Sequence, residues 1–298
     1  MLISAIFNTP HIYNKKTNNL AFYGKHKKPQ QDTFEKQKEP YSVENSIDNF
    51  SAEFANLIKQ KNCNKDNLKT LIRQYVPKTK LEHNPAELEL NGNYAQYSYR
   101  SLISSNNKLH YPYKKIIVDM DKKDKEPIVF FNDLVHEMIH NLQINKEKEI
   151  YKKIYDDFYT DSLKAHSDFR DLCDIAVQHG ENMISEGFDK KINFIKFLDT
   201  KNYEKTKKEN IDNFNFDYTT KNNVEQVYDL GVLTILAQEE QAYTMADEMT
   251  LKHFKVFNKR QNKNKKMFEN LKEVVLDDLK KTGMPEEKIE EYKALILS

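Results

Sequence analysis

Apolar residues recur at three- and four-residue spacing at Ile47, Phe50, Phe54 and Ile58, the stripe of an amphipathic helix, so order is predicted to begin near Ser42. A second short helix fits Asp66 to Tyr75, with Asp66 as its N-cap and Pro77 beyond its end. The period then changes. Leu88-Glu-Leu90, Tyr94 to Tyr99 and Lys115 to Asp119 alternate or carry β-branched runs, and Asn91-Gly-Asn93 and Ser104 to Asn107 supply turn chemistry between them. These runs predict a small sheet. From about residue 129 onward the pattern is almost wholly helical. Leu163, Leu172, Ala176, Met183, Ile192, Ile195 and Leu198 mark a charged helical stretch, and Val224 to about Phe257 reads as one long helix or two in series. Gly283-Met-Pro285 separates the last helices, a glycine past one end and a proline opening the next.

The expected fold is therefore α+β and mostly helical, with a small twisted sheet followed by helices. Residues 1–40 are rich in Asn, Lys, Gln and Thr without a sustained period and are predicted to be a disordered tail. Residues 41–298 are predicted to form a single domain. Within it, 146–222 would be a helical insertion or cap and 258–298 a helical C-terminal extension.

Composition narrows the function classes. Lys and Arg number 47 against 46 Asp and Glu, so no global field draws the chain to nucleic acid or an anionic membrane. The basic stretch Lys25 to Pro29 is short, and no nucleic-acid recognition motif is present. Only 6 glycines speak against phosphate loops. Cys63 and Cys173 lack partners at metal-ligand spacing and are read as idle thiols in a reducing compartment. Met1 to Phe7 lacks a basic flank and is not read as a signal peptide, and no window has the length of a membrane span. The expected location is cytoplasmic, or outside the cell by a route without a classical signal peptide.

The chemistry concentrates at His136-Glu137-Met-Ile-His140. Residues four apart share a helix face, so both imidazoles can reach one small cation. Zinc takes neutral imidazole nitrogens in tetrahedral geometry. Glu137, one step around, can address a water on the metal without being a ligand and accept its proton as general base. Phe131, Leu134, Val135, Met138 and Leu142 supply a buried face, and Asn132 or Asp133 offers an N-cap. Gln143 shares the ligand face, either as a hydrogen-bond partner near the site or as a surface residue. His110, His179 and His253 read as ordinary surface or capped histidines.

A small sheet, a helix bearing HExxH and further helices resemble the zincin metallopeptidases. The resemblance implies an active-site helix beneath a sheet whose edge strand holds a protein or peptide substrate, with Lys115 to Asp119 as the expected edge strand. The metzincin extension is excluded because position 146 is Lys where a third histidine is needed. Gln238-Glu239-Glu240-Gln241-Ala242-Tyr243 resembles the ExxA(Y) element of bacterial metallopeptidase domains with HExxHxxQ. That resemblance implies Glu239 as the third zinc ligand, Ala242 as a site of close helix approach and Tyr243 as a hydrogen-bond donor to a developing oxyanion. Glu240, Glu181, Glu186 and His166 are the alternatives for the third ligand. The usual acidic partner four residues after the ligand glutamate is replaced by Tyr243, which leaves the residue that orients the histidines unassigned. The expected activity is a zinc metallopeptidase. The alternative is a catalytically inactive zincin-like protein that serves as an interaction or effector module.

Overall fold

A computed structural model describes residues 43–89, 94–103, 109–159, 163–189, 200–213, 221–256 and 261–297. The predicted tail at 1–40 lies outside them. The elements, in chain order, are α1 (Val43–Lys59), α2 (Lys65–Tyr75), β1 (Lys80–His83), α3 (Pro85–Glu89), β2 (Ala95–Ile103), β3 (Leu109–Val118), α4 (Pro127–Phe158), α5 (Leu163–Asp189), α6 (Thr200–Asp212), α7 (Lys221–Phe254), α8 (Gln261–Lys281) and α9 (Glu286–Leu297). The architecture is α+β, mostly helical, with one small mixed sheet.

Helix α1 buries Ile47, Phe50 and Phe54, the stripe read from the sequence. The N-cap of α2 is Asn64, not Asp66: its side chain accepts from the Asn67 amide, leaving Asp66 inside the first turn. The sheet order is β1-β3-β2, with β1 parallel and β2 antiparallel to β3. This corrects two expectations. The first strand is Lys80–His83, while Leu88 lies on the short helix that Pro85 opens, where a fixed φ suits the first turn. Of the run Lys115 to Asp119, residues up to Val118 belong to the central strand, which is not an edge. Ile116, Ile117 and Val118 are all fully buried, as a strand covered on both faces requires.

Two cores share two long helices. One core holds α1, α2, the sheet, the first half of α4 and the last part of α7, with Phe54 stacked on Phe131 at 5.3 Å. The other holds the second half of α4 with α5 to α9. Helix α4 therefore runs unbroken from the sheet-side core into the helical one, and Ile150 and Ile154 continue its buried surface. The expected boundary at 146 falls inside this helix. Pro127 opens it after Glu126, so Asn132 and Asp133 are interior positions and not its N-cap.

Helices α4 and α7 lie antiparallel. Asn132 Nδ2 donates to Asp247 Oδ1 at 3.2 Å and Thr250 Oγ1 at 3.0 Å, while Gln143, further along α4, meets Gln238 and Gln241, earlier on α7. Helix α7 is a single helix with apolar residues buried around its whole girth, from Val224 through Leu236. Its close approach to α5 needs glycine: a Cβ on Gly231 would sit 2.8 Å from the Ala176 Cβ.

Candidate metal centre

His136 and His140 stand one turn apart on α4 and face Glu239 of α7. Their side chains form a cluster in which one ligand atom from each lies within 4.8 Å of the others. His136 Nε2 is 3.3 Å from Glu239 Oε2, and His140 Nε2 is 3.2 Å from Glu239 Oε1. The two Nε2 atoms are 2.9 Å apart. Tetrahedral ligands bonded to zinc at about 2.0–2.2 Å sit about 3.3–3.5 Å from one another. The two imidazole–carboxylate contacts run to different oxygens of Glu239, and the two rings need to part by about 0.5 Å to share one tetrahedral ion. Glu239 Oε2 is buried, and the group it faces is the His136 ring. These three residues can hold a metal ion.

The site electrostatics follow from burial and from this carboxylate. Burial pushes the Glu239 carboxyl up, but the His140 charge and the facing rings hold it well below the ordinary carboxylate range. Burial by itself would lower His140, yet the Glu239 charge outweighs it and raises the ring to about 9. For His136 burial prevails and lowers its affinity for a proton. Without a metal the cluster is thus an anionic carboxylate beside a proton-holding imidazole. A divalent cation competes with that proton for the same atoms.

Glu137 is 6% exposed, and burial raises its carboxyl to about 8 against the opposing His140 charge and a backbone hydrogen bond. That bond comes from β2: the Tyr97 amide donates to Glu137 Oε2 at 2.5 Å. Asp119 N–H donates to Tyr94 C=O, and antiparallel alternation then turns the Ala95 and Tyr97 groups away from β3. One turn before Glu137, Asp133 Oδ2 accepts the Tyr94 amide at 3.1 Å. Two carboxylates of α4 thus clip the edge strand to the helix. The strand that borders the site is β2, where the sequence pointed to β3. The clip itself leaves no pattern in the sequence.

The structure separates Glu239 from its alternatives. Glu240 turns away to pair with Lys272 of α8. Glu181 accepts from Gln178 on α5, and Glu186 is exposed. The side chains of His110 and His166 lie outside the described residues. Tyr243 packs its ring edge-on to His136 at 4.5 Å and also meets Phe188 and Phe268, with its hydroxyl buried. Ala242 is fully buried in the sheet-side core, as the expected close approach requires.

Gln143 is a buried residue of this site, not a surface glutamine. It reaches His140 Nδ1 on one side and α7 on the other. His179, read as a surface or capped histidine, is likewise buried. It stacks on Tyr203 at 5.1 Å and bonds the Tyr228 hydroxyl at 2.8 Å. It borders a second polar cluster, where Lys207 bridges Asp229 and Asp278 and Tyr203 donates to Asp229 at 2.6 Å. Its members come from α5 to α8, outside the ligand cluster. His253 lies between α7 and α1, 3.2 Å from Ser51 Oγ. Cys63 and Cys173 are buried thiols, as read. No helix among the described residues is long and apolar enough to cross a membrane. Comparison with known protein families, with curated proteins and with solved structures returns no match.

Proposed function

We propose that the chain is a zinc-dependent metallopeptidase of zincin type, a hydrolase acting on peptide bonds. The observation that carries the reading is the convergence of His136, His140 and Glu239 beside Glu137, three ligand side chains with a fourth, non-ligand carboxylate at hand. A zinc ion held by the three would supply Lewis acidity, bringing a water's pKa towards neutrality and polarising a scissile carbonyl. Glu137 would take the proton released by that water as it attacks, then return it to the departing amine nitrogen. A peptide in extended form would lie along β2, whose outward groups at Ala95 border the site beside the Tyr97 amide that Glu137 already holds. Tyr243, packed on His136, is the proposed donor to the oxyanion.

A second reading is favoured by one observation. His136 and Glu137 are only 5% and 6% exposed, and Glu137 is tied to the Tyr97 amide. A chain that keeps the ligand set without turnover, as an interaction module, needs no more access than this.

Metal analysis and a peptide-library assay separate the two. Under the first reading the purified chain takes up one zinc and cleaves peptides. Glu137→Gln then retains the metal and loses turnover. Zinc uptake without cleavage of any library member gives the second reading its place. A wild-type chain that cannot be loaded with zinc ends the first.

A further inference from the structure

Resting on the metal-site reading, we propose that Gln143 is a positioning residue that locks the metal-binding tautomer of His140 and ties it to the segment carrying Glu239. Gln143 is 2% exposed, so its amide must find its partners inside the protein. Its Nε2 lies 3.2 Å from the backbone oxygen of Gln238 and 2.8 Å from Gln241 Oε1. A backbone carbonyl can only accept, so the atom facing it is the NH2 group. The other end of the amide, Oε1, is then the atom 3.1 Å from His140 Nδ1. An amide oxygen can only accept, so His140 Nδ1 carries the proton. The lone pair of the neutral ring is thereby left on Nε2, the atom that faces Glu239.

The chain of bonds therefore starts at a fixed carbonyl of α7 and ends at a ligand nitrogen of α4. The carbonyl belongs to the residue immediately before Glu239. One glutamine thus orients a ligand on its own helix and pins it to the backbone beside the ligand on the other. This fills the place left open by Tyr243, which stands four residues after Glu239. That tyrosine lies against the His136 ring, whereas Gln143 holds His140.

Zinc titration and nitrogen NMR test the proposal. Gln143→Leu keeps the volume near that of glutamine and removes every bond of the amide. Zinc affinity is expected to fall by about 10- to 100-fold, the usual cost of losing a group that orients a ligand histidine. In the zinc-loaded wild-type protein, long-range proton–nitrogen correlation is expected to place the His140 proton on Nδ1, protected from exchange. In folded Gln143→Leu that protection is expected to be lost. A proton on Nε2 in the wild type, or unchanged zinc affinity in the folded variant, overturns the proposal. Should the variant not fold, the wild-type tautomer decides alone. If the wild type takes up no zinc, the metal reading fails. The proposal then falls with it, whereas zinc uptake with a failed tautomer or affinity result overturns the proposal alone.

Discussion

Glu137 accepts the Tyr97 amide proton through Oε2, so the proposed general base is also a buried staple between α4 and the edge strand β2. The two duties separate by substitution. In Glu137→Gln the new side chain would still present an oxygen to the Tyr97 amide, while Glu137→Leu leaves that amide facing a hydrocarbon. Glu137→Gln is expected to keep wild-type stability or exceed it, because burial already opposes the charge. Glu137→Leu is expected to lose about 1–3 kcal/mol relative to Glu137→Gln. Urea midpoints of the two variants check this. Equal midpoints would mean that the bond to Tyr97 carries no stability.

Metal binding should register as stability through Glu239 and not through its neighbour. Zinc at about one hundred times its dissociation constant stabilises a folded protein by about 2.7 kcal/mol. A thermal shift on adding zinc is expected for the wild type and for Glu240→Ala, since Glu240 is committed to Lys272. Glu239→Ala is expected to abolish the shift. A shift that survives in Glu239→Ala and vanishes in Glu240→Ala would reassign the ligand.

Gly231 tests the packing of α7 on α5. Alanine there would gain about 1 kcal/mol of helix propensity. It would also bring its Cβ to 2.8 Å from the Ala176 Cβ, and neither methyl can rotate away. Gly231→Ala is expected to be destabilising overall, by about 1–3 kcal/mol. The double variant Gly231→Ala with Ala176→Gly is expected to recover most of that loss in the denaturation midpoint. A single variant more stable than wild type would show that the helices part without cost.

His179 gives the fold a pH dependence of stated sign. Burial, helped by the Lys207 charge, lowers the ring from 6.5 to about 4. Between those values the unfolded chain binds a proton that the folded chain refuses. The contribution is therefore complete above about 6.5 and is lost as pH falls towards 4. From pH 7 to pH 5 this group should withdraw about 2 kcal/mol of stability. His179→Phe keeps a ring against Tyr203 and has nothing to protonate. Its urea midpoint should fall correspondingly less over the same interval. Parallel pH profiles for the two proteins would exclude His179 as the source.

The stripes of α1 and the HExxH helix are legible because each uses local periodicity, and Ile47, Phe50 and Phe54 are buried as their spacing requires. The rank of β3 is not legible in the same way. Ile116, Ile117 and Val118 announce a strand, but centre or edge depends on whether another segment pairs on its far side, and β1 does. The start of α4 departs from expectation for a related reason. Asn132 and Asp133 have the side chains of caps, but they serve α7 and the Tyr94 amide from inside the helix.

By itself the sequence determined that His136 and His140 share a helix face with Glu137 one step round. Spacing along one helix is a local property, complete within five residues. Only the tertiary structure decided that Glu239, and not Glu240, closes the cluster, although the ExxA(Y) resemblance had pointed to it. Adjacent residues on α7 face about 100° apart. Which one meets α4 is set by the antiparallel docking that also joins Asn132 to Thr250 and Gln143 to Gln238. The same docking buries Gln143 and presses β2 onto Glu137. No local pattern encodes these contacts, because each joins segments that are neighbours only once both cores have formed.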